Sequence, residues 1–111
     1  MADVLIGPAK ALKGVARVPG DKSIAHRALI CGALANGWTR ITGVPRNADV
    51  SATIRALDGL GVQTQRNDDA VIVNGSGRET WNVAGATIDC ANSGTTMRVL
   101  MGLLHAQSGS A

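Results

Sequence analysis

The chain is predicted to be an α/β protein of β-α-β-α-β-β type, and three observations lead there. Short alternating or β-branched runs trade places with longer runs of helical period. Gly, Pro, Asn and Asp fall at the exchanges. Two of the strand-to-helix junctions, "PGDKSIAHR" (19–27) and "NSGTTMR" (92–98), repeat the same small, hydroxylated and basic residues.

Taken in order, "KGVARV" (13–18) reads as a strand closed by Pro19-Gly20. From Lys22 to Asn36 the spacing is helical, with Ile24, Ala28, Cys31 and Leu34 on one face and Asn36-Gly37 as the stop. "WTRITGV" (38–44) alternates as a short strand of undecided inward face. In the next helix Asn47 or Asp49 can cap, Val50, Ile54, Leu57 and Leu60 form a stripe, and Gly61 ends it. "VQTQR" and "AVIVNG", separated by Asn67-Asp68-Asp69, read as a hairpin. "ATIDC" (86–90) is expected to be a further strand running into a broadly apolar helix. That helix has Val99, Leu103 and Ala106 on one face and Leu100 and Leu104 on the next. The order predicts about one and a half such units, with an apolar helix face and a strand edge left open; the chain is expected to be a truncated piece.

Composition narrows the function classes. At 45% hydrophobic and 17% charged the 111 residues are globular rather than disordered. Trp38 and Trp81 are the only aromatic residues besides the two histidines, which leaves base-stacking modes of nucleic-acid binding little to work with. Of the net charge of +3, the excess lies in residues 1–60, with eight Lys and Arg against four acids, and there is no basic run. That suits a small anion better than a DNA backbone. Cys31 and Cys90 lack metal or CxxC spacing and read as reduced, buried thiols; no cleavable leader or membrane-length run is visible, so the cytoplasm is expected. Neither "GPAK" nor "NGSG" has P-loop spacing, and no metal site or cofactor is expected.

The two junctions carry the chemistry. A helix N-terminus presents unpaired N–H groups and the positive end of the dipole, and so attracts anions. Lys22 adds an ammonium, Ser23 and Thr95 offer hydroxyls, and Arg27 and Arg98 lie three or four residues on, where a guanidinium can fold back. Singly, each has a plainer role: Ser and Asn before a helix are ordinarily caps, His26 an exposed or hydrogen-bonded imidazole, Asp49 a first-turn acid, Thr96 and Met97 packing residues. Together the two junctions predict a ligand, or ligand pair, with two anionic groups.

"PGDKSIAHRALI" and "NSGTTMRVL", with "NADVSATIRALDGLGV" between them, resemble the N-terminal part of the 5-enolpyruvylshikimate-3-phosphate synthase family, the carboxyvinyltransferases of aromatic amino-acid biosynthesis. The likeness runs over nearly the whole chain. Lys22-Ser23 favours this family over the sister enzymes acting on UDP-N-acetylglucosamine, which carry Lys-Asn there. It implies the inside-out α/β barrel fold of two domains, with residues 1–19 belonging to one and 20–111 to the first part of the other. It also implies transfer of the enolpyruvyl group of phosphoenolpyruvate to shikimate 3-phosphate. Lys22, Ser23 and Arg27 match residues binding shikimate 3-phosphate, with Lys22 also touching phosphoenolpyruvate. Gly94 matches the glycine against phosphoenolpyruvate, with Asn92, Thr95 and Arg98 the rest of that loop and helix, where the family also binds glyphosate. The implied partners are these two substrates, with no nucleic acid or membrane; the family is typically monomeric, and an open piece is expected to self-associate. Ala25 departs from the family's usual Ser, and the family's proton-transfer residues lie beyond Ala111. No catalytic residue is therefore assigned, and the chain alone is expected to be inactive. The rival reading is a non-enzymatic phosphometabolite-binding module or a remnant.

Overall fold

The computed structural model describes residues 3–77, 81–83, 85 and 87–105. Its elements run α1 (Lys22–Leu34), β1 (Asn36–Ile41), α2 (Ala48–Gly59), β2 (Gln63–Asn67), β3 (Ala70–Ser76) and α3 (Gly94–Leu104). The strands form one antiparallel sheet in the order β1-β3-β2. β1 pairs with β3 from Asn36 opposite Ser76 to Ile41 opposite Val71, and β2 pairs from Gln63 opposite Asn74 to Asn67 opposite Ala70. The expected hairpin is present, turning through Asp68-Asp69 with Asp68 at φ 50°, a left-handed conformation that Asp tolerates.

The pleat sorts each strand into two faces. Thr39, Val73 and Thr64 form one cross-strand row and Ile41, Val71 and Arg66 the next, on the helix side. Trp38 shares its row with Asn74 and Gln63 on the other face and is 64% exposed. α1 lies on β1 and β3, α2 on β2, and α3 against both helices. Leu29, Val50, Leu57, Leu60, Val71 and Val73 are wholly buried between the layers, joined by Leu100 and Trp81. Each such Val or Leu stabilises the fold by roughly 1.5–3 kcal/mol. Glycine allows a close contact between helix and sheet: Gly75 of β3 passes directly under the carbonyls of Gly32 and Ala35 at the end of α1.

The α2 stripe is as expected, with Val50, Leu57 and Leu60 buried and Ile54 packed at its margin; Asn47 caps α2, and Gly61 follows its end at φ 89°. Other expectations are corrected. Residues 13–18 form no strand: Val15 and Val18 are 91% and 84% exposed, and the strand pairings among the described residues do not include them. Residues 87–90 form none either, residue 86 lying outside those described.

α1 ends at Leu34 and buries Ala25, His26, Leu29, Ile30 and Ala33 rather than the expected Ile24, Ala28, Cys31 and Leu34. Apolar residues surround most of this helix, so period alone does not set its phase; small Ala25, Ala33 and Gly32 let it approach the sheet. Cys31 is exposed and Cys90 half-buried, so the buried-thiol expectation fails for Cys31 and holds only in part for Cys90. In α3 Leu100 and Thr96 are buried, whereas Val99 is 36% exposed; Ala106 lies outside the described residues.

Candidate functional site

All three helices are opened by a short polar cap. Asp21 Oδ1 accepts from Ile24 N at 2.8 Å, Asn47 Oδ1 from Val50 N at 2.9 Å, and Ser93 Oγ from Thr96 N at 3.1 Å. Each cap satisfies one N–H of its first turn and leaves others free for a ligand.

The three starts converge, and Asp49 lies at their junction. Lys22, the first residue of α1, donates through Nζ to Asp49 Oδ2 at 2.8 Å. The hydroxyl oxygen of Thr96, in the first turn of α3, lies 3.4 Å from the backbone oxygen of Asp49. The two junctions singled out in the sequence are thus brought against a third helix start that the sequence reading had treated only as capped. Three dipole ends and Lys22 share one region with two carboxylates, Asp21 on the α1 cap and Asp49 on α2.

The hydrogen bond to Asp49, and its charge, raise the Lys22 pKa above the ordinary ammonium value. The same bond from Lys22 holds the Asp49 carboxyl below its usual range. Both groups are therefore charged through the neutral range.

On α3, Arg98 folds back as the spacing predicted. A Cβ placed on Gly94 would lie 2.6 Å from Arg98 Nη1, so the guanidinium rests on the glycine and only glycine leaves it room. Lys22, Ser23, Arg27, Asn92, Thr95 and Arg98 are exposed and Gly94 is half-buried, an open platform ready to receive a polar ligand. Arg27 stands on the exposed side of α1.

Beneath this platform runs a buried polar chain. His26 Nδ1 is 2.7 Å from Thr53 Oγ1, which is 2.6 Å from Thr96 Oγ1, which donates to Ser93 Oγ at 2.7 Å. Burial, with the charge of Lys22 in the same direction and Asp49 opposing, lowers the His26 pKa and keeps the ring neutral. Sequence reasoning had His26 as hydrogen-bonded or exposed and Thr96 as packing; the link between them was missed. Thr53, a polar residue inside the apolar stripe of α2, was the available signal. Burial beside Asp89 raises the Cys90 thiol pKa, so it is protonated and unreactive.

Helices on a three-stranded sheet, with the starts of α1 and α3 both meeting Asp49 of α2, define a small α/β unit. The chain belongs to the EPSP synthase (3-phosphoshikimate 1-carboxyvinyltransferase) family, whose model matches residues 6–111. It is 52% identical over 102 residues to the 3-phosphoshikimate 1-carboxyvinyltransferase of Streptococcus equi subsp. zooepidemicus (strain MGCS10565), covering 92% of this chain and 24% of that protein. It is 40% identical over 108 residues to that of Geobacter sp. (strain M21), covering 97% and 25%. Among solved structures, EPSP synthase from Acinetobacter baumannii superposes with a TM-score of 0.80 at 39% identity, over 87% of this chain and 22% of that one. The chain therefore spans about a quarter of the length of the relatives it matches. The expected fold class stands: this is a piece of the α/β architecture of that family. Among the described residues no helix is long and apolar enough to cross a membrane.

Proposed function

We propose that these residues form the part of a carboxyvinyltransferase that binds shikimate 3-phosphate and phosphoenolpyruvate. In the reaction, the enolpyruvyl group of phosphoenolpyruvate passes to a hydroxyl of shikimate 3-phosphate and phosphate is released. The observation carrying this reading is the meeting of the α1 and α3 starts at Asp49, with Lys22 on one and Arg98 over Gly94 on the other. Two anions that repel in water are held together most readily where several fixed positive ends face them.

In this reading Lys22, Ser23 and Arg27 hold the phosphorylated shikimate, and Lys22 also faces phosphoenolpyruvate. Asn92, Gly94, Thr95 and Arg98 hold the phosphoenolpyruvate. Residues 1–19 belong to one domain of the family fold and residues 20–111 to the other. That residues 3–20 are exposed and without regular structure supports a role outside the helix-and-sheet unit. The 111 residues span about a quarter of the length of their relatives, and in this reading they bind without turning substrate over.

Calorimetric titration with shikimate 3-phosphate, alone and with phosphoenolpyruvate present, tests the assignment. Saturable binding strengthened by the second ligand is expected, with no phosphate released. Absence of binding would overturn the site, and steady phosphate release would overturn the statement on turnover.

A further inference from the structure

The buried chain beneath the platform has a direction. A hydroxyl has one hydrogen to give. Thr96 Oγ1 has three oxygens in reach, Thr53 at 2.6 Å, Ser93 at 2.7 Å and the Asp49 carbonyl at 3.4 Å, and its hydrogen on the Ser93 cap points away from Thr53. In that arrangement Thr53 donates to Thr96 and its oxygen accepts an N–H from His26 Nδ1; the reverse arrangement would put the hydrogen on Nε2. With Nδ1 protonated, His26 Nε2 carries no hydrogen and meets no donor among the described residues.

His26, Thr53 and Thr96 are 1%, 0% and 0% exposed, and Ser93 3%. Each link therefore lies away from water, where an unmatched donor or acceptor is costly. The chain begins on α1, crosses α2 and ends on the cap of α3.

We propose that His26 is a positioning residue: fixed as the Nδ1–H tautomer, it sets the α3 start, with Gly94 and Arg98, against the α1 start, with Lys22, through Thr53. The inference rests on reading those starts as the binding site for shikimate 3-phosphate and phosphoenolpyruvate. A ligand pair that bridges two helices binds well only when their separation is already set, and ordering them on binding would weaken affinity.

Two measurements on the 111-residue chain decide it. Nitrogen-15 spectra of the imidazole should show a protonated Nδ1 and a bare Nε2 near neutral pH; the opposite tautomer, or a mixture, overturns the chain of donors. The second is affinity for shikimate 3-phosphate in the presence of phosphoenolpyruvate. His26→Asn places an N–H where Nδ1 stands and should bind within about threefold of wild type, whereas His26→Gln reaches toward the Nε2 position and should bind about tenfold more weakly with its helices intact. Equal affinities for the two variants overturn the positioning role. If His26→Gln does not fold, Thr53→Ser, which keeps the hydroxyl, is compared with Thr53→Val; equal binding by that pair counts against the proposal in the same way. A wild-type chain that binds neither ligand would remove the site and with it the positioning role, while the tautomer would still judge the hydrogen-bond chain separately.

Discussion

Replacing Gly75 by alanine tests how closely β3 and α1 are fitted. A Cβ at that position coincides with the carbonyl oxygens of Gly32 and Ala35 and lies 3.0 Å from the Ala35 carbonyl carbon. All three are backbone atoms and none can rotate away. Restoring ordinary contact requires the end of α1 to lift by about 1 Å, and a gap of that size forfeits a quarter to a half of the local dispersion attraction. That attraction includes Ala33 and Leu29, which are buried in the core that Val73 shares. Overpacking of this kind costs about 3 kcal/mol. The reduced freedom of alanine in the unfolded chain returns up to about 1 kcal/mol. The net loss should be about 2 kcal/mol, or a fall in Tm of about 10 °C for a chain of this size.

Gly59→Ala is the control. It ends α2, and a Cβ there meets nothing within 4 Å, so a gain of about 0.5 kcal/mol is expected. Urea unfolding followed by circular dichroism, with m unchanged, measures both. A Gly75→Ala protein as stable as wild type would mean that α1 and β3 are not packed as described.

The remaining predictions concern the site. Lys22→Ala should weaken shikimate 3-phosphate binding by about tenfold or more in a titration, because a charge-assisted contact is lost and Asp49 is left unopposed; unchanged affinity would remove Lys22 from the site. Gly94→Ala should fold normally but push aside Arg98, whose Nη1 lies 2.6 Å from the new methyl; phosphoenolpyruvate binding should fall while Tm moves by only a few degrees. Equal phosphoenolpyruvate affinity in wild type and Gly94→Ala would mean that Arg98 does not act from over the glycine. The lowered pKa of buried His26 gives a pH dependence. The unfolded chain, whose imidazole titrates near 6.5, takes up a proton before the folded one does, so stability is full above that pH and declines as the pH falls toward the folded value. Thermal melts from about pH 8 down to about pH 5 should show this decline, flattened in His26→Asn, and a flat wild-type profile would contradict a buried neutral ring.

What could be read from the sequence followed local physics. Asn47 and Gly61 bracket α2 because caps and left-handed stops act within a few residues. The hairpin is written in two alternating runs around Asp68-Asp69. The two junctions at Lys22 and Gly94 stood out because a helix start and an arginine one turn later are also neighbours in the chain. The failures depend on partners far away in sequence. "KGVARV" has strand character but no neighbour to pair with. The phase of α1 is decided by the sheet beneath it rather than by its own period. Asp49 as the counter-charge of Lys22, and Thr53 as the link between His26 and Thr96, become visible only when α2 is laid beside the other helices.

The spacing of those links along the chain also sets an order in time. Lys22 to Asp49 and His26 to Thr53 each close 27 residues, whereas Thr53 to Thr96 and Asp49 to Thr96 close 43 and 47. Closing the longer loops costs more chain entropy, and their reward comes only after the α1–α2 pair and the hairpin have formed. α3 buries Thr96 and Leu100, with Leu103 and Leu104 partly buried against the core, so it is expected to be the last element to dock and the first to open. On that order, the meeting of the α1 and α3 starts at Asp49 depends on α3 being docked. Amide exchange in the first turn of α3 would report how often the site exists at all, while β3 and α1 would exchange only on global unfolding.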